Sequence, residues 1–332
     1  MSIDVTSLDD PDEWNDLLEK TDCPSPFHLA EALDVFASRS GADLHRLVGY
    51  KGQEPVGLFP VFTTRKGPFA AAFSPPPDLK VPYLGPVGLN RTKLKQRRRE
   101  RRNRRFVDAC LDWLTETHDP AFTTLRTTPA YEDPRPFVWR EFDLTPRYTY
   151  VVDLDRGPDD LLAAFSGDAR RNVTDDYDVD YEVVEGDAES VERIHEQVAA
   201  RHAAQGESFP IDAAFLRRLY EALPDGVVRP YVCLIDGAFE GGTINLEYGR
   251  LGVCWVGGAK TETELPVNDI ADWQYCLDAM ERGVTAYDFA GANDPRLSRY
   301  KAKFAPSLST YYRAEKGSRS ATAAARLYNR LR

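Results

Sequence analysis

Long apolar runs are absent from this sequence. No window approaches the roughly 20 consecutive apolar residues that a membrane-spanning helix needs, which excludes a helical integral membrane protein. The first residues, MSIDVTSLDDPDEW, carry acidic side chains where a secretory signal peptide needs a basic region followed by an apolar one. We therefore expect a cytoplasmic protein, and peripheral attachment to a membrane stays open.

Cysteine is scarce and lacks metal-binding spacing. The chain has 5 cysteines, an odd number, and no two of them form a CxxC pair. This pattern excludes a disulfide framework and a zinc site. We expect reduced core thiols, no metal and no bound cofactor. The cysteines are Cys23, Cys110, Cys233, Cys254 and Cys276.

Lysine is also rare. The 42 basic residues comprise 10 lysines and 32 arginines, and the formal net charge is -11. Two interpretations stay open for this composition. A halophilic protein keeps an acidic, lysine-poor surface hydrated in a high-salt cytoplasm, whereas a GC-rich genome produces the same bias without salt adaptation. Unfolding measured in molar KCl separates them, because only the first interpretation predicts a gain in stability.

The order of predicted elements repeats once along the chain. With 332 residues and 42% hydrophobic content, the chain can form two cores of ordinary size. Each half contains a hairpin with glycine near its second arm, a strand with a nearby glycine, a helix and a final strand. The segments are 44–63, 81–87, 106–114 and 122–127 in the first half, and 228–248, 251–258, 268–282 and 285–289 in the second. This repetition predicts a duplicated α/β unit with mixed sheets.

Further helices and strands complete this plan. Helices are predicted over 10–20, 29–41, 159–169, 189–204 and 215–223, and strands over 149–154 and 181–184. The proline-rich stretch 132–148 is predicted to be a linker. The expected domains are therefore 1–145 and 146–332.

The stretch from Val284 to Phe304 carries the strongest functional pattern. A short predicted strand ends at Asp288, the breaker-rich loop AGANDP follows, and Tyr300 and Lys301 come a few residues later. α/β proteins place their chemistry beyond the carboxyl ends of strands. We therefore expect a site at this loop.

Several segments in this order resemble the motifs of the FemAB-like peptidyltransferases and their BioF-like acyltransferase relatives. Residues 26–33 (PFHLAEAL) are similar to the family's Phe-containing entry helix. Residues 149–154 (TYVVDL) and 170–172 (RRN) resemble its T-x-x-x-D-L … R-x-x-I-R segment. Residues 287–291 (YDFAG) and 300–304 (YKAKF) resemble its F-D-F-G-G … F-K-x-x-F signature. The resemblance spans nearly the whole chain.

This resemblance implies two tandem acyl-CoA N-acyltransferase (GNAT-like) domains, with the active site in the second. The implied reaction is direct acyl transfer to an amine, which needs a deprotonated amine and a polarised carbonyl. Asp288 is the candidate for orienting or deprotonating the acceptor, and Lys301 is the candidate cation for an oxyanion or a phosphate. The candidate substrate-binding residues are Arg170, Arg171, Tyr248, Trp255, Gly291, Asn293 and Tyr300.

Each of these candidates also has an ordinary structural interpretation. Asp288 is equally suited to cap the turn that follows it, and Lys301 to be a solvated helix lysine. Arg170 and Arg171 either bind an anion in bidentate fashion or face the many nearby aspartates. Tyr248 and Trp255, as aromatics on strands, are more often core residues.

The sequence departs from the family pattern at two places. Ala290 stands where the relatives usually have glycine, which predicts a less open loop. Asp175 and Asp176 stand where relatives usually have arginine or lysine, which argues against binding a polyanionic donor through that segment.

Residues 93–105 (KLKQRRRERRNRR) form a separate basic run, with nine basic positions of thirteen. Contiguous like charge is self-repulsive, and positive charge near a helix start opposes the macrodipole. We expect an anionic partner, which is transfer RNA, another nucleic acid or an anionic membrane surface, bound through Arg97, Arg98, Arg101 and Arg102. The other interpretation is a solvated helix half paired with acidic side chains.

The donor of the acyl group is not fixed by a motif. The sequence lacks an R/Q-x-x-G-x-G/A pyrophosphate loop, because Gly257-Gly258-Ala259-Lys260 leads into a stretch with Glu262 and Glu264 that would repel phosphate. The co-substrate is therefore aminoacyl-tRNA, as the resemblance implies, or an acyl-CoA thioester bound differently. A non-catalytic scaffold with a degenerate fold that binds an anionic polymer stays open as the alternative.

Overall fold

The structure is a computed structural model of the chain and describes residues 2–21, 24–92, 94–258 and 263–317. Cys23, Lys93, Ala259, Lys260 and Glu262 lie outside these residues. The helices are α1 (Pro11–Leu18), α2 (Ala30–Ser40), α3 (Gln96–His118), α4 (Arg135–Trp139), α5 (Pro158–Ala164), α6 (Gly167–Thr174), α7 (Ala188–Ala204), α8 (Ala213–Ala222), α9 (Val267–Glu281) and α10 (Pro295–Lys301). None of these described helices is long and apolar enough to cross a membrane.

The strands lie between these helices in an alternating order. They are β1 (Asp4–Ser7), β2 (Asp43–Lys51), β3 (Glu54–Lys66), β4 (Phe69–Ser74), β5 (Val87–Gly88), β6 (Phe122–Arg126), β7 (Asp143–Asp153), β8 (Tyr181–Glu185), β9 (Val228–Ile235), β10 (Ala238–Tyr248), β11 (Leu251–Gly257), β12 (Ala286–Asp288) and β13 (Ser307–Gly317). Most predicted elements match these bounds within a few residues.

The chain divides into two compact units. The first contains Met1–Arg147 and the segment that begins at Thr310, and the second is Tyr148–Ser309. The predicted division into 1–145 and 146–332 differs in this returning segment, where Arg313 of β13 pairs with Arg126 of β6. Because these partners lie far apart in sequence, no local pattern encodes the pairing.

The predicted linker 132–148 contains regular structure instead. Pro136 lies in the first turn of α4, where its missing N–H is tolerated. The residues from Asp143 onward belong to β7. The linker prediction was therefore wrong, because prolines at a helix start and in a strand were taken as breakers.

The first unit is built on a sheet in the order β1-β2-β3-β4-β6-β13, with β5 beside β3. β4 and β6 are parallel, and the other neighbours are antiparallel. The predicted hairpin is β2 and β3. The predicted strand 81–87 is mostly irregular, since only Val87 of that range lies in a strand, and β4 was not predicted.

Helix α3 packs on this sheet through a pair of glycines. Gly49 and Gly57 are opposite each other in the β2–β3 register, and a Cβ added to either would clash with the ring of Phe106. Phe106, Cys110 and neighbouring apolar side chains of α3 are buried against the strands. The two glycines therefore provide the slot that sets how closely α3 approaches the sheet.

Replacing Gly57 by alanine is expected to destabilise the protein by about 1 to 3 kcal/mol, because the ring of Phe106 must shift in a packed core. Urea unfolding of Gly57→Ala, Phe106→Ala and the double variant measures the effect. The glycine substitution should cost much less once the ring is gone. Additive losses would show that Phe106 does not fill this slot.

The second unit has a sheet in the order β7-β12-β11-β10-β9-β8. β11 and β12 are parallel, and the other neighbours are antiparallel. The predicted helix 159–169 is two helices, α5 and α6, because Ser166 begins a new helix. Its hydroxyl accepts a hydrogen bond from the N–H of Ala169, and its own N–H donates to the carbonyl of Lys303.

A buried aromatic cluster lies between α9 and the sheet of the second unit. Tyr231, Tyr275 and Tyr287 are fully buried, and their rings contact in sequence. Phe289 and Phe304 extend the cluster toward α10. The described cysteines carry no disulfide, and Cys110, Cys233 and Cys276 are buried as predicted, while Cys254 is half-buried.

Candidate active site

The loop after β12 is fixed to β7 by backbone and side-chain hydrogen bonds. Asn293 Oδ1 accepts from the Tyr148 N–H (3.0 Å), and Asn293 Nδ2 donates to the Tyr148 carbonyl (2.9 Å). The N–H of Ala292 donates to that carbonyl (2.7 Å) as well. Asn293 thus continues the pairing with β7 after the strand has ended, and the loop has a defined shape.

Asp288 stabilises the turn at the start of this loop. Its side chain is buried, and Oδ1 accepts hydrogen bonds from the Ala290 N–H (2.8 Å) and from Thr149 Oγ1 (2.5 Å). Thr149 Oγ1 in turn accepts from the Gly291 N–H (2.8 Å). This is the geometry of a turn-capping carboxylate.

Lys301 reaches back from α10 to the same loop. Its Nζ donates to the carbonyls of Phe289 (2.7 Å) and Gly291 (2.8 Å). Burial lowers the pKa of this amine, and the nearby carboxylates of Asp288 and Asp272 partly oppose that effect. An ammonium has three N–H donors, so within the described residues one donor remains for an oxygen that gains negative charge.

The loop has two residues with positive φ. Gly291 has φ 121°, and Ala290 has φ 51°, in the left-handed region. That region costs a residue with a Cβ about 1 to 2 kcal/mol. Ala290 therefore has backbone strain that glycine at this position would not have. That Ala290 makes the loop less open stays a prediction.

Ala290→Gly is expected to stabilise the protein by about 0.5 to 1 kcal/mol, since the relief of the left-handed conformation exceeds the entropy that glycine adds to the unfolded chain. Thermal and urea unfolding measure it. Ala292→Gly, two residues on and without positive φ, is the matched control and should destabilise. A loss of stability in Ala290→Gly would contradict the strain.

A buried acid next to this site was missed from sequence. Asp272 of α9 accepts a hydrogen bond at Oδ2 from the Tyr300 hydroxyl (3.1 Å), and its Oδ1 lies 3.3 Å from the Tyr287 hydroxyl. The same hydroxyl also donates to Asn245 Oδ1 (2.8 Å), so Asp272 and Asn245 share one donor. Tyr287 therefore bridges Asp272 and Asn245.

Burial dominates the titration of Asp272. Burial, and after it the charge of Asp269, raise the pKa of Asp272 to about 7, although the Tyr300 and Tyr287 hydroxyls and Lys301 act in the opposite direction. Near neutral pH the carboxyl thus exchanges a proton beside Tyr300, the residue that precedes Lys301.

Asp269, one turn earlier on α9, has the opposite environment. Its carboxylate forms an ion pair with Lys303 Nζ (2.5 Å) and accepts from Asn172 Nδ2 (2.7 Å). Asn172 belongs to the 170–172 segment of the family resemblance, so these contacts of Asp269 connect α9 with α6 and with the turn that follows α10. Both acids lie on the buried stripe with Cys276 and Ala279, and an acid in an apolar helical stripe is the signal that could have revealed them.

The other predicted residues of the second unit are spread over different surfaces. Tyr300 and Gly291 lie at the loop with Lys301. Arg170 and Arg171 are exposed on α6, and the described residues show no ion pair with either. Trp255 packs against Phe215 of α8, with ring centres 6.2 Å apart. Tyr248 is half-buried at the end of β10.

The predicted anion-binding arginines lie on α3 in the first unit. Arg97, Arg98 and Arg101 are exposed. Arg102 differs from them, because it is largely covered and forms an ion pair with Glu54 (3.0 Å). Of the four predicted anion-binding arginines, only Arg97, Arg98 and Arg101 are therefore exposed on α3.

Comparison with known proteins identifies the fold. Residues 167–302 match the family described as an acetyltransferase (GNAT) domain. The crystal structure of FemX is similar with a TM-score of 0.73 and 12% identity over 93% of this chain and 96% of that chain. L-PGS from Bacillus licheniformis has a TM-score of 0.56 and 13% identity over 97% and 96%. A tandem GNAT protein from the clavulanic acid biosynthesis pathway has a TM-score of 0.50 and 14% identity over 96% and 99%.

Comparison with curated protein sequences gives no match. At these identities the structural likeness concerns the fold, and it covers nearly the whole chain. The predicted α/β fold class of tandem GNAT-like domains is confirmed. The domain match contains the loop after β12, α9 and α10 up to Lys301. Residues 167–302 therefore match a GNAT acetyltransferase domain, and nearly the whole chain has a fold similar to that of FemX.

Proposed function

We propose that the protein transfers an acyl or aminoacyl group from an acyl-CoA thioester or aminoacyl-tRNA to an amine of a small molecule, lipid or glycan precursor. The observation that carries the proposal is Lys301. Its ammonium is held on the carbonyls of Phe289 and Gly291 beyond the end of β12, inside the matched domain. A cation fixed before the reaction begins stabilises developing negative charge effectively.

The chemistry needs one bond to form and one to break. The acceptor nitrogen attacks the donor carbonyl carbon, and the carbonyl oxygen becomes an oxyanion. The remaining N–H of Lys301 donates to that oxygen. When the tetrahedral intermediate collapses, the C–S or C–O bond of the donor breaks, the amide C–N bond remains, and the proton lost by the amine ends on the leaving thiol or hydroxyl.

The other candidate residues have supporting roles in this proposal. Asp288 is a positioning residue, because its carboxylate holds Thr149 and the Ala290 N–H, while the deprotonation of the acceptor by Asp288 stays a prediction. Arg170 and Arg171 are available at the surface for the phosphates of a donor. Trp255 is already packed against Phe215, which favours its interpretation as a core residue.

Isotope labelling tests the proposal and identifies the donor. The protein is incubated with an extract of cellular amines and lipids and with either deuterated acetyl-CoA or transfer RNA charged with ¹³C amino acids, and mass spectrometry follows the label. Label in an amide product supports the proposal and assigns the donor. Acceptors that stay unlabelled with both donors overturn it and favour the non-catalytic scaffold.

A further inference from the structure

The N-terminal half of α3 carries a cationic surface that the proposed transfer reaction does not use. Arg97, Arg98 and Arg101 lie on the side of the helix opposite Phe106 and Cys110, and all three are exposed. We call these three arginines the basic face. Neighbouring arginines are neutralised within the unit, as Arg99 and Arg102 are by Glu132 and Glu54, whereas the described residues show no such ion pair for the basic face.

The basic face makes α3 less stable than it could be. The helix begins after Lys95 with no side-chain cap and no acid in its first turn. Cations at this end oppose the helix macrodipole, and they repel each other at i, i+4 spacing. No ion pair within the described residues neutralises the positive charge of the basic face. An external anionic partner would neutralise it.

Exposed apolar side chains also lie on α4, which contacts α3. Val138 and Trp139 of α4 are 51% and 52% exposed. The guanidinium groups of Arg104 and Arg135 lie over the Trp139 ring, 5.2 Å and 5.5 Å from its centre. An amphipathic ring, an aliphatic side chain and arginines on one surface are the combination that binds the headgroup region of a bilayer.

The same details argue against RNA as the partner. Phosphates would satisfy the arginines but leave Val138 exposed, and single-stranded bases bind through stacking on open aromatic faces. Trp139 already has two guanidinium groups over its ring. We propose that the basic face of α3, together with Val138 and Trp139, binds the surface of an anionic lipid bilayer.

Vesicle flotation of the full chain tests this. One set of vesicles contains phosphatidylcholine alone, and the other contains 30% phosphatidylglycerol. Each basic side chain near an anionic surface strengthens binding about fivefold, so Arg97→Glu/Arg101→Glu should weaken binding to the second set by at least about thirtyfold. Trp139→Ser should weaken it by about tenfold. Arg218→Glu/Arg250→Glu, with the same change in net charge on the other unit, should bind like the unchanged protein.

Folding and partner class are checked in the same preparation. Glutamates at the start of α3 favour the macrodipole, so the Tm of Arg97→Glu/Arg101→Glu should be unchanged or raised, and a binding loss cannot then come from unfolding. Equal losses in the two double variants overturn the proposal. Equal binding to both vesicle sets does so too, and so does tighter binding of bulk transfer RNA than of anionic vesicles at the same salt concentration.

Discussion

Replacing Lys301 by alanine is expected to lower the rate of acyl transfer by about 10²- to 10³-fold, the loss that follows when one fixed donor to an oxyanion is removed. The substitution removes the N–H that remains after the carbonyls of Phe289 and Gly291 are satisfied. Because that donor acts on charge that develops during the reaction, kcat should fall more than KM rises. Single-turnover and steady-state rates of the labelled transfer measure both.

This loss of activity must be separated from a loss of stability, because Lys301→Ala also leaves the carbonyls of Phe289 and Gly291 without the hydrogen bonds that Lys301 donates. Lys316→Ala is the matched control. Lys316 Nζ likewise donates to a backbone carbonyl, that of Arg140 (2.9 Å), but it lies in the first unit. A Lys301→Ala protein that is folded at the assay temperature and retains kcat within a few-fold of the original would refute the role of the ammonium.

Asp272→Asn is expected to stabilise the protein at pH 8 and to leave its stability nearly unchanged at pH 4. The pKa of Asp272 is raised to about 7 in the folded state, chiefly by burial, whereas the unfolded chain titrates near pH 4. Between these values the folded state holds a proton that the unfolded state releases. Stability therefore falls as pH rises through this window, and the loss is complete above pH 7.

The size of the effect follows from the same shift. At 1.36 kcal/mol for each unit of pKa difference, the loss in the original protein approaches about 4 kcal/mol as an upper limit. Asparagine has no charge to bury, and its side-chain oxygen can still accept the hydrogen bond from the Tyr300 hydroxyl. Urea unfolding of both proteins between pH 4 and pH 8.5 measures the contribution of Asp272, since groups that do not interact with it cancel in the difference.

Asp269→Asn provides a contrast of opposite sign on the same helix. Its ion pair with Lys303 is buried, and removing the carboxylate leaves the ammonium uncompensated, at a cost of about 3 to 5 kcal/mol. Two isosteric substitutions one turn apart should thus move stability in opposite directions at pH 8. A flat difference between the Asp272→Asn protein and the original across this pH range would show that Asp272 titrates normally.

Sequence patterns correctly predicted the turns and helix ends that depend on the conformation of one or two neighbouring residues. The β2–β3 hairpin turns at Gly52, which has φ 63°, and α2 ends at Gly41 in the left-handed conformation, so in both places glycine placed the boundary correctly. The loop after β12, with Asp288 and Lys301 brought to it, was expected from motif order. The pairing of β6 with β13 and the slot for Phe106 depend on distant partners, and sequence periodicity carries no information about either.

The candidate site shows the same limit at the level of single residues. Asp288 was a candidate for orienting or deprotonating the acceptor and equally for capping the turn, and only the three-dimensional structure shows the hydrogen bonds that it accepts from Thr149 and the Ala290 N–H. Asp272 was passed over because its sequence context is an ordinary helix. Its raised pKa comes chiefly from burial, and the side chains that bury it surround it only after folding.

The clamp between Asn293 and β7 has a consequence for how this protein tolerates sequence change. The hydrogen bonds of Asn293 involve only the backbone N–H and carbonyl of residue 148 and not its tyrosine side chain. Every amino acid except proline has both groups. A substitution of Tyr148 by any residue other than proline therefore keeps the hydrogen bonds that hold the loop. Asn293 cannot be replaced in the same way. Aspartate at this position would lose the N–H donor, and leucine would lose both hydrogen bonds.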